Sequence, residues 1–337
     1  MNPSSVFSVR TKIQFEQCAL KIFKLQAEKN LVYKQYLQQL GVGAEKVKAV
    51  SQIPFLPIEF FKTHEVITKS LNPKSQILNP KSETFKSSGT TGSVLSKHHV
   101  QDISLYEKSF RKGFESFYGD VTQYAILALL PSYYENKNSS LLYMMMDLIK
   151  RSKNKHSAFY NSQDENSIPA IQNLLQKKQK VILFGVSFAL LDLVVGRFPL
   201  VKGGRGDLAV IETGGMKGRK EEITRGELHK TLCAKFGVKE IHSEYGMTEL
   251  LSQAYSKGDG IFKCPPWMKV LVRDVNDPFS FLPHGKPGAL NIIDLANIHS
   301  CSFIATQDVG KIHKNGSFEV LGRMDNSDLR GCNLLAG

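Results

Sequence analysis

Short runs of strand-forming residues alternate with helical patterns through the middle of this chain, and this alternation constrains the fold more than any other feature. The predicted strands are Tyr124–Leu130, Val181–Phe184, Leu208–Glu212 and Glu240–Ser243. The predicted helices between them are Ser140–Lys150, Ser187–Phe198 and Glu221–Phe236. Strands that alternate with helices in this way form parallel sheets whose carboxyl ends carry loops. The order therefore predicts an α/β fold.

The two ends of the chain have different patterns. From Thr11 to Leu40 the apolar residues recur at steps of three and four, which predicts one amphipathic helix. After Gly260 the pattern changes to strand-like pieces with turns, including Cys301–Thr306 and a separate run at Val309–Ile312. The pair Asn315-Gly316 is a strong hairpin signal. This part is predicted to be a β-rich subdomain.

The charge of the chain does not by itself select a partner. Its 337 residues include 44 Lys and Arg against 31 Asp and Glu, a formal charge of +13. Such a field attracts nucleic acid, acidic proteins and anionic substrates alike. Because the basic residues lie in short patches without interleaved aromatic residues, and no nucleic-acid motif accompanies them, nucleic acid is not expected as a partner.

Membrane and export signals are not apparent in the sequence. The longest apolar stretch, Val181–Gly196, is interrupted by polar residues and is shorter than the ~20 apolar residues of a spanning helix. The N-terminal segment has no apolar core behind a basic start, as a secretory signal would. Five widely spaced cysteines without a CxxC pair predict reduced thiols. We therefore expect a cytoplasmic protein without stable membrane insertion.

A loop of small hydroxyl residues and glycines, Ser87–Ser93, follows a strand-like run. Glycines let the backbone bend so that its N–H groups converge on an anion, and the hydroxyl groups add donors. The loop is not a Walker A motif, because no Gly-Lys-Ser/Thr follows at the required spacing. A phosphate-binding loop and an ordinary surface turn both fit the segment taken alone.

A second polar segment, His242–Glu249, follows the predicted strand Glu240–Ser243. Within it, Tyr245 could stack on a base, Thr248 could reach a phosphate, and Glu249 is a carboxylate that could bind a metal ion. Taken alone, a strand end with a tight turn is an equally good interpretation.

Together these segments resemble the adenylate-forming superfamily of acyl-CoA synthetases, luciferases and peptide-synthetase adenylation domains. SSGTTG at Ser87–Gly92 is similar to the family's phosphate loop, and EYGMTE at Glu244–Glu249 to its adenine and magnesium segment. Glu212–Met216 is similar to the Gly-Gly strand end beside the adenine. Thr306–Asp308 and Leu321–Asp325 resemble the family's TGD and GRxD segments. The segments follow one another in the family's order.

The resemblance implies ATP and Mg²⁺ as cofactors and a role for each matching residue. The triphosphate would be held by Ser87, Ser88, Gly89, Thr90, Thr91 and Gly92, with Lys97 as a candidate further contact. The adenine would lie against Gly214, Gly215, Met216, Tyr245 and Gly246. Thr248 would contact the α-phosphate, Glu249 would bind Mg²⁺, and Asp308 with Arg323 would contact the ribose. A turn residue is the alternative interpretation of Asp308.

The chain departs from the family pattern in three places. Val94-Leu95 stand where the phosphate loop usually continues with Pro-Lys, and Gln307 replaces the glycine of TGD. The chain also ends shortly after Asp325, where family members continue into a mobile lid with a catalytic lysine. The predicted fold is therefore the large N-terminal domain of these enzymes, with a β-rich subdomain and without the C-terminal lid domain.

A short adenylate former of this kind resembles the acyl-protein synthetases of bacterial bioluminescence, the LuxE type. These enzymes receive the acyl group on a cysteine near the C-terminus, where this chain has Cys332, and Ile53–Lys62 is also similar to that family. The resemblance implies activation of a carboxylic acid, expected to be a fatty acid, and transfer of the acyl group to Cys332. A reductase or an acyl-acceptor protein would be the partner.

The resemblance also divides the chain. Residues 1–82 are predicted to form a helical region and connection, residues 83–260 an α/β nucleotide-binding body, and residues 261–325 the β-rich subdomain. Residues 326–337 are expected to form a mobile tail with the acceptor cysteine. Two other functions stay open. One is a ligase that delivers the acyl group to coenzyme A or a carrier protein without a covalent stage. The other is a non-catalytic nucleotide-binding scaffold.

Overall fold

The computed structural model describes residues 2–69, 81–88, 94–131, 138–161, 167–193, 208–214 and 223–324. The chain divides into two compact units that interleave along the sequence. The first unit comprises Met1–Ser109, Met247–Ser252 and Lys263–Gly337, and the second comprises Phe110–Gly246 and Gln253–Phe262. The domain bounds predicted from the sequence follow residue patterns and not contacts within the fold, so they stay a prediction.

Helices and strands follow one another along the described residues. The α-helices are α1 (Lys12–Lys29), α2 (Leu31–Gln39), α3 (Phe60–Thr63), α4 (Ile103–Tyr118), α5 (Ser140–Ser152), α6 (Ser167–Gln176), α7 (Ser187–Asp192) and α8 (Arg225–Phe236). The strands are β1 (Leu56–Pro57), β2 (Glu83–Lys86), β3 (Lys97–Val100), β4 (Tyr124–Leu129), β5 (Ala158–Phe159), β6 (Lys180–Val186), β7 (Leu208–Thr213), β8 (His242–Tyr245), β9 (Ala254–Ser256), β10 (Ile261–Lys263), β11 (Met268–Arg273), β12 (Gly288–Asp294), β13 (Phe303–Ile312) and β14 (Phe318–Arg323). Among the helices of the described ranges, none is long and apolar enough to cross a membrane.

The second unit contains the predicted parallel sheet. Its strand order is β5-β4-β6-β7-β8-β9-β10, and every pairing from β5 to β8 is parallel. β4 and β6 are buried along almost their whole length, as strands covered on both faces are. The mixed α/β fold predicted from the alternation is confirmed. Residues 194–200, which the predicted helix Ser187–Phe198 includes in part, lie outside the described residues.

The first unit contains the β-rich part. β11, β12, β13 and β14 pair antiparallel in that order, and β1 lies parallel beside β13. Asn315-Gly316 forms the predicted turn between β13 and β14, and Gly316 has a φ of +83°. A separate two-stranded sheet is formed by β2 and β3.

The prediction of two separate strands between residues 301 and 312 is wrong, because this segment forms one strand with a β-bulge. The structure has one strand, β13, whose register with β12 shifts between the pairs Ala289–Val309 and Asn291–Ala305. Residues 306–308 therefore lie opposite Leu290 alone. A bulge bends its strand and redirects the side chains on it, and bulges are frequent beside functional sites.

The predicted helix from Thr11 to Leu40 is wrong in its length, because the chain breaks at Asn30 into α1 and α2. Asn30 has φ −97° and ψ 107°, outside the helical region, and its side-chain oxygen accepts a hydrogen bond from the N–H of Tyr33 as the N-cap of α2. Its amide group donates to the carbonyl oxygen of Ser300 at 2.9 Å. A buried contact with a residue far along the chain thus ends the first helix.

Asn30→Ala is expected to lower the free energy of unfolding by about 2–4 kcal/mol, since it removes a helix cap and leaves the buried Ser300 carbonyl without this donor. Denaturant unfolding followed by circular dichroism measures the change. The matched control is Gln38→Ala on the exposed side of α2, which should change the value by less than about 0.5 kcal/mol. A value for Asn30→Ala inside the control's range would show that the break does not depend on this side chain.

Candidate functional site

The hairpin of β2 and β3 holds the two ends of the predicted phosphate loop. The N–H of Ser87 donates to the carbonyl oxygen of Ser96 at 3.1 Å, and the N–H of Ser96 donates to the Ser87 hydroxyl at 3.0 Å. Ser88 is exposed at the start of the loop. The loop residues Gly89, Thr90, Thr91 and Gly92 lie outside the described residues.

Two lysines face each other at the base of this loop. Lys86 and Lys97 are partners in the register of β2 and β3, and both are exposed. Like charges directly opposite one another in an antiparallel pair are destabilising, and an anion bound nearby would relieve the repulsion. The role of Lys97 as a phosphate contact stays a prediction.

Thr248 and Glu249 are the two central residues of a tight turn in the first unit. The N–H of Leu250 donates to the carbonyl oxygen of Met247 at 3.1 Å and closes the turn. The Thr248 side chain is half-buried, whereas Glu249 is only 5% exposed. A single turn thus carries a hydroxyl group and a carboxylate on adjacent residues.

The Glu249 carboxylate lies in a buried and positively charged environment. Burial raises the pKa of this carboxyl above its usual range, and the opposing influences are a hydrogen bond with Ser96 and the charges of Arg323 and Lys62. Ser96 stands at the base of the predicted phosphate loop. The carboxylate therefore lies within the electrostatic influence of the loop base and of two basic side chains.

Asp308 and Arg323 face each other from neighbouring strands. They are register partners on β13 and β14, and the Arg323 Nε atom lies 4.0 Å from the Asp308 Oδ1 atom. Asp308 is in the bulge of β13, with its side chain 19% exposed, while the Arg323 side chain is 67% exposed. The pair presents an acceptor and a donor side by side, and its contact with a ribose stays a prediction.

Gln307, which departs from the family's TGD pattern, has a specific partner in this chain. Its amide nitrogen donates to the Glu59 carboxylate at 2.5 Å, and Glu59 belongs to the early segment Ile53–Lys62. The carbonyl oxygen of Gln307 accepts a hydrogen bond from the N–H of Met324 at 2.7 Å. The larger side chain therefore fixes the strand beside Asp308 while the neighbouring carboxylate is retained.

Three buried side chains of the first unit hold the segment Met247–Ser252. The His98 Nδ1 atom lies 2.8 Å from the carbonyl oxygen of Thr248, and the Asn297 amide donates to the carbonyl oxygen of Glu249 at 2.8 Å. Asp294 accepts hydrogen bonds from the N–H groups that follow the turn, at residues 251 and 252. Burial lowers the pKa of His98 to about 4, so its ring is neutral at neutral pH.

The second unit holds the residues predicted to bound the adenine. Gly214 ends the β7 segment with a φ of +60°, in the left-handed region that favours glycine. Tyr245, 9% exposed, ends β8 and packs edge-to-face against Phe262. A Cβ atom on Gly246 would lie 2.5 Å from a carboxylate oxygen of Glu244, so a larger residue here would require the Glu244 side chain to move. Gly215 and Met216 lie outside the described residues.

The buried carboxylate of Glu212 belongs to a hydrogen-bonded network that includes the backbone of Gly214. Burial acts to raise the pKa of Glu212, but hydrogen bonding with His229 and the charge of Arg225 outweigh it and hold the pKa below its usual range. The Ser187 hydroxyl lies 3.1 Å from Glu212 and 2.7 Å from the carbonyl oxygen of Gly214. The charged network therefore fixes the backbone where the predicted adenine segment begins.

The thiols of the described cysteines are not activated. Burial raises the pKa of Cys264 and Cys301 to about 12, and it also raises the pKa of Cys18 and Cys233. A thiol is nucleophilic as its thiolate, so these groups are poor nucleophiles at neutral pH. Cys233 is only half-buried. Cys332, the predicted acceptor, lies outside the described residues.

The structure thus distributes the predicted site residues between the units. Ser87, Ser88, Lys97, Thr248, Glu249, Asp308 and Arg323 belong to the first unit, and Gly214, Tyr245 and Gly246 belong to the second. Within the first unit, Ser96 at the loop base and the charge of Arg323, a member of the predicted ribose pair, both act to lower the pKa of Glu249. The order of the motifs along the sequence does not show which of these residues influence one another in the fold.

Sequence reasoning missed the side chains that surround Glu249. Ser96 and Lys62 lie beside segments that the sequence singled out, so proximity to those motifs was the available signal. His98 also follows the phosphate loop closely, so its position offered the same signal. Asn297 has no local signal for this role, because the carbonyl oxygen of Glu249 lies 48 residues away along the chain.

The chain is similar to one protein family and to several solved structures. The family model described as acyl-protein synthetase, LuxE, matches residues 7–336. No curated protein sequence matches the chain. Among solved structures, ATP-bound MatB from Rhodopseudomonas palustris is similar with a TM-score of 0.52 and 19% identity, over 71% of this chain and 47% of MatB.

The chain thus spans about half the length of MatB. A second similar structure is 2-hydroxyisobutyryl-CoA ligase in complex with 2-HIB-AMP and CoA, with a TM-score of 0.65 and 12% identity over 94% of this chain and 72% of the ligase. At these identities the likeness shows the fold, which is the predicted α/β fold of the adenylate-forming enzymes. Because the family model covers nearly every residue, the chain belongs to the LuxE family of acyl-protein synthetases.

Proposed function

We propose that the protein activates a carboxylic acid with ATP and Mg²⁺ as an acyl-adenylate, and then transfers the acyl group to the thiol of its own Cys332. The observation that carries this proposal is the position of Glu249. Its buried carboxylate is influenced both by Ser96, at the base of the Ser87–Ser93 loop, and by the charge of Arg323, the partner of Asp308. The fold itself can hold such an intermediate, since 2-hydroxyisobutyryl-CoA ligase binds 2-HIB-AMP.

The environment of Glu249 fits a magnesium ion. Burial raises the pKa of the carboxyl, and a bound divalent cation would favour its charged form. Mg²⁺ is usually held by one or two carboxylates together with substrate phosphates. Among the described residues there is no group of three or more His, Cys, Asp or Glu side chains that could hold a metal ion, so phosphate oxygens and water would complete the set. When bound, the ion would neutralise the charge that develops on the leaving pyrophosphate.

The first reaction is displacement at the α-phosphorus of ATP. An oxygen of the substrate carboxylate forms a bond to this phosphorus, the bond to the bridging oxygen breaks, and pyrophosphate leaves with the electron pair. The Thr248 hydroxyl would donate to the α-phosphate, and Asp308 would accept hydrogen bonds from the ribose hydroxyls. These contacts would hold the α-phosphorus in line with the attacking carboxylate oxygen. Catalysis of such a reaction depends mainly on positioning and on electrostatic stabilisation.

The second reaction is acyl transfer. The sulfur of Cys332 attacks the acyl carbon, and the thiol proton is released to solvent. The bond between the acyl carbon and the phosphate oxygen breaks, and AMP leaves with the electron pair. A thioester remains on the protein. The raised pKa values of the other four thiols support Cys332 as the nucleophile, and the nearby Arg330 in the sequence would favour its thiolate.

The direct test is ATP–pyrophosphate exchange with a series of carboxylic acids that differ in chain length. Exchange that depends on both the acid and Mg²⁺ would support acid activation, and the preferred acid would then identify the substrate. Exchange without acylation of the protein would favour a ligase that acts on coenzyme A or a carrier protein. Failure of every acid, with ATP still bound, would favour the non-catalytic scaffold.

Asp308→Asn is expected to raise the KM for ATP by about tenfold, with a change in kcat below about threefold. The reason is that a charged acceptor is lost from the ribose, at a cost of about 1.4 kcal/mol. Steady-state exchange with varied ATP measures both constants. Asp277→Asn, an exposed aspartate of the same unit, is the control and should match the wild type. An unchanged KM in Asp308→Asn would remove Asp308 from the nucleotide site.

A further inference from the structure

The turn that carries Thr248 and Glu249 is held on its carbonyl side by two side chains outside the matched motifs. His98 contacts the carbonyl oxygen of Thr248, and Asn297 donates to the carbonyl oxygen of Glu249, each at 2.8 Å. Both side chains are only 1% exposed. The two central carbonyl groups of the turn therefore have one dedicated partner each.

The two side chains also contact each other. The His98 Nε2 atom lies 3.0 Å from the Asn297 Oδ1 atom, and the Asn297 amide makes a second donation, at 2.9 Å, to the carbonyl oxygen of Cys301. The Phe61 ring packs edge-to-face on the imidazole at 5.6 Å. Rotation of His98 would break its hydrogen bond with Thr248, and rotation of Asn297 would break its two donations to backbone carbonyl oxygens.

The hydrogen-bond chemistry fixes which atom holds the turn. A carbonyl oxygen only accepts, so the His98 Nδ1 atom must carry the hydrogen that is shared with Thr248. The turn is already closed by the Leu250–Met247 hydrogen bond, and Asp294 takes the two N–H groups that follow it. The contacts of His98 and Asn297 therefore add orientation to a turn that has other hydrogen bonds to keep it formed.

We propose that His98 and Asn297 are positioning residues that set the direction of the Thr248 hydroxyl and the Glu249 carboxylate. This inference rests on the proposed function, because it concerns the same nucleotide site. Neither side chain touches the reacting atoms. A displacement of about 1 Å at a catalytic group can cost about 100-fold in rate, so loss of either contact would act on the chemical step more than on acid binding.

The test uses a matched pair of substitutions that each preserve one contact. In His98→Asn the amide nitrogen takes the place of Nδ1, so the donation to Thr248 is kept. In His98→Gln the amide nitrogen takes the place of Nε2, where it can donate to the Asn297 Oδ1 atom, and the donation to Thr248 is lost. His99→Asn is the control, because His99 is the next residue on β3 and its Nδ1 atom contacts Thr84 instead.

Two readouts separate positioning from stability. For His98→Gln we expect the kcat of pyrophosphate exchange to fall about 10- to 100-fold with the KM for the acid unchanged, whereas His98→Asn stays within about fivefold of the wild type. Without turnover, calorimetric titration with ATP should show a smaller gain in affinity on adding Mg²⁺ in His98→Gln than in the wild type. His99→Asn should match the wild type in both readouts.

Equal exchange constants and equal Mg²⁺ dependence in both His98 variants, measured on the folded fraction, would overturn the positioning role. If both variants fail to fold, Asn297→Ser supplies the comparison, with the same expected loss of kcat and the same contradicting result. Wild-type protein that neither exchanges pyrophosphate nor binds ATP would overturn the proposed function and this inference together. An active wild type with an equally active His98→Gln would overturn this inference alone.

Discussion

Cys332→Ala is expected to separate acid activation from acyl transfer, with exchange within about threefold of the wild type and loss of all thioester-bound acyl label. The reason is that the proposed site assigns the two reactions to different residues. Protein incubated with radiolabelled acid, ATP and Mg²⁺ is precipitated and treated with neutral hydroxylamine, which cleaves thioesters. Mass spectrometry of the wild type should place one acyl group on the peptide that contains Cys332.

The matched controls are Cys264→Ala and Cys233→Ala, which remove thiols of raised pKa and should retain the label. Label that persists in Cys332→Ala, or that maps to Cys264, would show that the nucleophile is wrong while the activation step survives. Loss of exchange in Cys332→Ala would show that the two reactions do not use separate residues.

Glu249→Gln is expected to lower the rate of exchange about 100-fold while leaving the protein as stable as the wild type or more stable. The substitution keeps the shape of the side chain but removes the charge proposed to bind Mg²⁺. Burial makes the charged form of Glu249 costly, as its raised pKa indicates, so the folded protein loses no favourable charge when Gln replaces it. Exchange kinetics and thermal unfolding without ATP measure the two effects.

Glu319→Gln is the control for this prediction, since Glu319 pairs with Lys311 and His313 in the same unit and has no assigned role. It should retain exchange. Full exchange in Glu249→Gln would exclude Glu249 from the metal site. A large loss of thermal stability would show instead that the carboxylate serves the fold.

The sequence was sufficient to predict the α/β architecture, because alternation of strands and helices is a local pattern. β4, β6, β7 and β8 all begin or end within a few residues of their predicted bounds. The break at Asn30 could not be predicted in the same way. Its cause is a hydrogen bond to Ser300, and the local periodicity continues through the break.

For the candidate site, too, local motifs could be predicted from the sequence, whereas features that depend on distant residues could not. Thr248, Glu249, Asp308 and Arg323 lie in motifs of fixed order, so the resemblance singled them out from the sequence alone, and their roles stay predictions. The bulge that contains Asp308 comes from the register between β12 and β13, which depends on both strands.

The neighbours of Glu249 were not predictable for a related reason. Ser96, Lys62 and Arg323 come from three distant parts of the chain, and only the folded first unit brings their influence to one carboxylate. The raised pKa of this carboxyl is therefore a property of the fold, and no short sequence window contains it.

The measurement that tests the central claim most directly is single-turnover reaction of the wild-type protein with ATP labelled at the α-phosphate, Mg²⁺ and the preferred acid. The account predicts that labelled acyl-adenylate and pyrophosphate form in equal amounts, only when the acid is present, and that labelled AMP appears as the protein becomes acylated. Release of ADP and phosphate, or cleavage of ATP at the same rate without acid, would contradict it.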